Sequence, residues 1–292
     1  MTEDFLNYLR YERNRSELTV CRYEQSLRGF ESYFKNRDSQ LSWESVDSDV
    51  IRDWMESMMD KGDMASTVNS SLSAVRSFFR FALSRGLVAH DPSYVVKGPK
   101  KQKPLPQFVR EDEMNRLLDT PQMWEDGFAG LRARTIIILF YETGIRLAEL
   151  IGLDVTDVDF AAHQIKVTGK RNKQRIIPFG TELEGVLREY LTQRNAQLQV
   201  DSALVLSDKG KRMTRNQVEK IVKQHLSLTT TLKKRTPHVL RHSFATAMLN
   251  NGAGLEDVRL LLGHESVATT QIYTHTTFEQ LKRIYENAHP RA

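Results

Sequence analysis

The stretch from Thr236 to Tyr273 gathers the residue types that can act on an anionic substrate. It reads T-P-H-V-L-R-H-S-F-A-T, then L-L-G-H at 261–264, then T-Q-I-Y ending at Tyr273. Thr236 before Pro237 is a helix-start pattern: a hydroxyl able to cap, then a proline whose fixed φ suits the first helical position. His238 and Arg241 then share one face of the first turn, where free backbone N–H groups and the positive dipole end favour an anion. Gly263, following the apolar Val258, Leu261 and Leu262, predicts a helix stop with His264 just beyond it. Ser266 can cap one more short helix, placing Tyr273 about two turns along it. Imidazole, guanidinium and phenol are thus all available near one anion position.

His-x-x-Arg, then Leu-Gly-His, then a tyrosine nine residues on resembles the tyrosine recombinase (phage integrase-like) family, the Xer type in particular. The rest of that family's constellation has counterparts upstream. G-I-R-L-A-E-L at 144–150 supplies Arg146, and V-T-G-K-R-N-K-Q-R at 167–175 supplies Lys170 in a predicted hairpin. The resemblance implies metal- and ATP-independent cleavage and rejoining of DNA through a covalent 3′-phosphotyrosine and a Holliday junction. In that scheme Tyr273 is the nucleophile, and Arg146 and Arg241 hold the phosphate in two-pronged contact. His264 adds a hydrogen bond, Lys170 is the acid to the leaving 5′ oxygen, and His238 is the base for the tyrosine. No cofactor is implied. The partners implied are a double-stranded recombination site and a tetramer, of this chain or with a paralogue. One departure is Arg171, where the usual hairpin pattern has glycine; Asn172 can supply the left-handed turn residue instead.

Each residue also has a plain reading. Tyr273 alone fits a core or interface position, His264 a helix-end hydrogen bonder, Arg146 a partner of Glu149, and Lys170 a solvated turn lysine. Their joint order and spacing favour the site. His238 and His242 stand at i, i+4 but lack the H-E-x-x-H glutamate and a third ligand, so no metal site is expected. Three other roles stay open: integrase or transposase of a mobile element, a relaxing topoisomerase of the same chemistry, and a non-catalytic DNA-binding protein. The Xer reading, resolution of chromosome or plasmid dimers, is preferred.

The elements that must position these groups follow from patterning. A length of 292 residues suggests two domains. The balance of 42 Lys+Arg against 37 Asp+Glu suits a polyanion partner. The single cysteine, Cys21, excludes an internal disulfide and reads as a half-buried packing thiol. No apolar run reaches membrane-spanning length and no signal peptide is read at the start, so a cytoplasmic protein is expected.

Residues 1–90 read as all-α, and the resemblance implies that they form a SAM-like core-binding bundle. Its stripes are Val20, Tyr23, Leu27, Phe30 and Phe34, then Ile51, Trp54, Met55 and Met58, then Val68, Leu72, Val75, Phe79 and Leu83. Residues 91–107, with Lys97, Lys100, Lys101 and Lys103 among prolines and a glycine, read as a basic linker. Residues 108–292 read as mainly α with a small antiparallel β-sheet, and the resemblance implies that they form the catalytic domain, with a fold like that of type IB topoisomerases. Its hairpin pairs 164–168 with 175–179, and Leu204–Leu206 is a candidate short strand. Thr214 and Gln217 form a capping box for a helix whose basic side carries Arg215, Lys220 and Lys223. Those three, with Arg76 and Arg80 on the fourth helix, are candidate DNA contacts. A last amphipathic helix (Phe278, Leu281, Ile284) packs on its own domain or on a neighbouring protomer.

Overall fold

The computed structural model describes residues 1–100, 106–169, 172–196, 201–263 and 275–292, the residues 275–277 by backbone alone. Lys170, His264 and Tyr273, and the linker lysines Lys101 and Lys103, lie outside the described residues. The chain divides into two compact units, Met1–Pro104 and Leu105–Ala292.

In the first unit, α1 (Thr2–Asn7) widens into a π turn (Tyr8–Glu12), followed by α2 (Glu17–Arg37), α3 (Ser48–Asp60) and α4 (Ala65–Ser84). Asp47 caps α3, its carboxylate accepting from the backbone N–H groups of Asp49 and Val50, each at 2.9 Å. The apolar stripes of α2, α3 and α4 bury Leu27, Phe30, Phe34, Ile51, Trp54 and Phe79 in one core. Trp43, between α2 and α3, fills its centre, with ring centroids 4.3 Å from Phe78 and 5.2 Å from Phe34. The Met and Phe stripes are therefore packing residues. Two expectations are corrected. Cys21 is exposed, because the α2 stripe runs through Val20, Leu27 and Phe34 and turns the next residue outward. Leu83 is exposed as well, at the fraying end of a helix that stops at Ser84.

The second unit is built round α6 (Phe128–Thr143), in which Ile136 to Phe140 are all fully buried. A helix apolar on every side belongs in a core, and α8 (Thr181–Asn195), α9 (Arg215–Thr229) and α10 (Pro237–Asn250) pack around it. The remaining elements are α5 (Glu111–Asp119), α7 (Leu147–Gly152), α11 (Leu255–Leu262) and α12 (His275–Ala288). The sheet runs β1 (Val158–Asp159), β2 (Gln164–Thr168), β3 (Gln174–Pro178), antiparallel throughout, with Val167 opposite Arg175. Asn172 takes φ +58°, a left-handed residue in the β2–β3 turn. Leu204–Leu206 is no strand: the backbone makes only single bridges, Asp154 with Ala203 and Leu206 with Arg212. The chain there is tied by Arg194, whose Nε donates to the Ala203 carbonyl at 3.1 Å, and not by a ladder. Among the described residues no helix is long and apolar enough to cross a membrane.

Helix α12 packs on its own unit. Leu281, Tyr285 and Ala288 are buried with Phe244, Met248 and Leu261. Beneath it lies a wholly buried carboxyl: Glu142 Oε2 accepts from the Tyr285 hydroxyl at 3.2 Å and the Gly180 N–H at 3.3 Å. Burial, then the Glu182 charge, pushes Glu142 up to about 8. Burial likewise brings His289 down to about 3. An unfolded glutamate loses its proton near 4.5, so between there and pH 8 the folded state holds the extra proton and stability falls as pH rises. His289 works in the opposite sense, losing stability as pH falls from about 6.5 to 3. The Glu142 contribution is at most on the order of 5 kcal/mol. Glu142→Gln keeps the acceptor oxygen, so it is expected to flatten the fall in melting temperature between pH 5 and 8. A variant melting with the wild-type pH slope would show that this carboxyl is ionised in the fold.

Candidate active site

Two glycines bring the site's walls together. Gly144 ends α6 at φ +58°, and a Cβ there would stand 2.5 Å from Phe244 Cδ1 and 2.8 Å from Leu262 Cδ2. Gly263 ends α11 at φ +62°, and a Cβ there would stand 2.9 Å from Arg175 Cδ. Both positions need glycine for the left-handed turn and for the close approach.

The last carbonyls of α11 have no partners within the helix, and three arginines take them. Arg175 Nε donates to Leu261 O at 3.0 Å, Arg241 Nη2 to Leu262 O at 2.6 Å, and Arg146 Nη2 to Gly263 O at 3.1 Å. Arg241 Nη1 also donates to Gly144 O at 2.5 Å. Cations at a helix C-terminus sit in the favourable half of its dipole. Arg146 itself is the N-cap of α7. Its charge is unfavourable against the positive end of α7, and the negative end of α11 offsets this.

One carboxylate faces these cations. Glu149, buried one turn along α7, accepts at Oε1 from Arg146 Nη1 and Arg175 Nη1, both at 2.8 Å. Its Oε2 accepts from Arg146 N at 2.7 Å and Arg175 Nη2 at 2.9 Å. Burial by itself would raise this carboxyl; the Arg175 hydrogen bond and charge, then those of Arg146, outweigh it and bring Glu149 to about 2. Three guanidiniums against one carboxylate leave two positive charges uncompensated among these groups. The strain shows at Arg241, pulled down to about 9 by burial and then by the Arg146 and Arg175 charges. An anion placed here would relieve it.

His238 lies at the start of α10, exposed, and is held below its ordinary value by partial burial and then by Arg241 and His242. Its imidazole is neutral at pH 7 and can accept a proton. Thr236 occupies the N-cap position, yet its hydroxyl makes no capping bond, which corrects the expected cap. The structure thus brings Arg146 and Arg241 onto adjacent carbonyls, with His238 one turn from Arg241. Arg215, Lys220 and Lys223 are exposed on α9, Arg215 pairing with Glu219 at 3.3 Å. Arg80 is exposed on α4, whereas Arg76 is half-buried and donates to the Val96 carbonyl. Among the described residues no group of His, Cys, Asp and Glu could hold a metal ion.

Arg175 was not marked out by motif reading. Its signal was positional: it shares the core face of β3 with Ile177, where a charge demands a partner. Gly263→Ala is expected to lower stability by roughly 1–2 kcal/mol from the positive φ, plus whatever Arg175 loses in moving aside. In a unit of this size that lowers the melting temperature by about 2–8 °C. An unshifted melt would remove this account of Gly263.

A family model described as the phage integrase family matches residues 107–280, and one for the phage integrase N-terminal SAM-like domain matches residues 2–86. The chain is 35% identical to tyrosine recombinase XerD of Oceanobacillus iheyensis, covering 99% of this chain and 98% of that protein. It is also 35% identical to tyrosine recombinase XerC of Pelotomaculum thermopropionicum, with the same coverage. The crystal structure of XerH site-specific recombinase bound to difH substrate aligns at a TM-score of 0.71 and 23% identity. That alignment covers 97% of this chain and 83% of that one, and establishes likeness of fold.

Proposed function

We propose a reaction path from one premise: the chain belongs to the phage integrase family and is a site-specific tyrosine recombinase of Xer-like type, an enzyme that cleaves and rejoins DNA. The seat made by Arg146 and Arg241 receives the scissile phosphate of a duplex recombination site. The observation that carries this is the charge imbalance of three guanidiniums around one carboxylate. Arg146 and Arg241 each commit two N–H donors to described acceptors and have five apiece.

In this path the Tyr273 oxygen attacks phosphorus and the bond to the 5′ oxygen breaks. The phenol's proton passes to His238, and Lys170 protonates the departing 5′ oxygen. His264 and the two arginines take up the charge that builds on the non-bridging oxygens. Phosphotyrosine keeps the bond energy, so rejoining needs no nucleotide, and no metal step is assigned. Exposed Arg80, Arg215, Lys220 and Lys223 suit phosphate contacts outside the cleavage point. Arg76 supports such a face from behind by fixing the chain after α4. The first unit, with the basic run after it, acts as the core-binding domain and the second as the catalytic one.

Xer-like relatives of full length favour resolution of chromosome or plasmid dimers over transfer of a mobile element. Four protomers, of this chain or with a paralogue, work on two sites through a Holliday junction in the cytoplasm. A protomer contact through α12 uses its outward side, since Leu281, Tyr285 and Ala288 are occupied within the unit.

On a nicked half-site carrying the cognate sequence, wild-type protein is expected to form a DNA-linked species that is absent with Tyr273→Phe. The same species should form undiminished in EDTA. Arg241→Ala is expected to slow its formation by about 10²–10³-fold. Absence of the species from wild type on every bound site would refute catalysis at this seat. A plasmid bearing two sites should yield recombinants; relaxation alone would point to a topoisomerase.

A further inference from the structure

We infer that Arg175 is a positioning residue for cleavage: it holds Glu149 in a two-pronged pair and so reserves the Arg146 guanidinium for the substrate phosphate. The inference rests on the recombinase reading above. Arg175 occupies a core-facing position of β3, opposite Val167 and two residues from Ile177, both fully buried. An apolar side chain would fill that place without the cost of desolvating a charge. The arginine there makes three directed bonds: two to Glu149, at 2.8 and 2.9 Å, and one to Leu261 O at 3.0 Å.

Those bonds divide the work of a single carboxylate. Glu149 has to accept the Arg146 backbone N–H to close the first turn of α7. It also touches one prong of the Arg146 guanidinium. Without Arg175 the carboxylate would have, among the described residues, Arg146 as its one cation in contact. It would then draw Arg146 into a closed bidentate pair, the preferred geometry of the two groups. The guanidinium's charge and its remaining donors would be spent inside the protein. With Arg175 present, that role falls to a buried residue, and Arg146 meets the carboxylate through one prong only.

The same contacts tie the β2–β3 hairpin to the end of α11. Gly263 leaves room for the arginine stem there. A lysine carries the charge, but its single ammonium cannot span both carboxylate oxygens and the Leu261 carbonyl in one plane.

The test is single-turnover formation of the DNA-linked species on the nicked half-site, together with half-site affinity and a thermal melt. It compares wild type, Arg175→Met, Arg175→Lys and the double variant Arg175→Met/Glu149→Gln. Arg175→Met is expected to slow the covalent step by about 10²-fold while leaving half-site affinity within about threefold, since most phosphate contacts lie elsewhere. Arg175→Lys should fall between it and wild type. The double variant should be faster than Arg175→Met by at least several-fold, because a neutral amide at position 149 no longer captures Arg146. A role confined to packing predicts the reverse, a double variant slower than the single. Either that result or an Arg175→Met rate equal to wild type overturns the inference. Should Arg175→Met melt below the assay temperature, Arg175→Lys is read alone, and a wild-type rate in it overturns the inference. Failure of wild type to form the species would refute the recombinase reading itself, a distinct outcome.

Discussion

Everything at the candidate site depends on how one short helix ends. The final three carbonyls of the α11 turn, from Leu261 to Gly263, each accept from a different arginine, and those arginines come from α7, β3 and α10. A helix C-terminus is a poor thing to bury unless its carbonyls are satisfied. A guanidinium is a poor thing to bury unless its donors are. Each solves the other's problem, and the left-handed glycine at the end leaves room for the Arg175 stem.

Glu149 supplies the complementary constraint. With four donors on two oxygens it is fully saturated, so the carboxylate is an orienting group and not a proton carrier. The excess of positive charge that remains is unfavourable for the isolated protein. In the proposed path that loss falls where the scissile phosphate binds, in keeping with the local conflicts found at functional sites.

Much of this was legible in the residues alone. Gly263 announced the end of α11, Pro237 the start of α10, and Glu149 a partner for Arg146. These are local patterns, and local patterns survive into the fold. What could not be read were pairings over long separations. Arg175 meets Leu261 across 86 positions, and Arg241 meets Gly144 across 97. Nothing in a nine-residue hairpin motif says that its last arginine turns inward. Cys21 and Thr236 failed for a smaller reason. A helix stripe one residue wide, or a hydroxyl that points elsewhere, is decided by packing and not by residue type.

The long reach of these contacts has a consequence for a protein that breaks DNA. Arg146 and Gly263 are 117 positions apart, with β3 and α10 between them in the chain. No short fragment can assemble the guanidinium array, whose parts come together only once α11 has been made. A nascent or partly unfolded chain therefore holds basic side chains without their common seat. Such a chain lacks the seat on which the proposed cleavage depends, so incomplete folding is a safe failure.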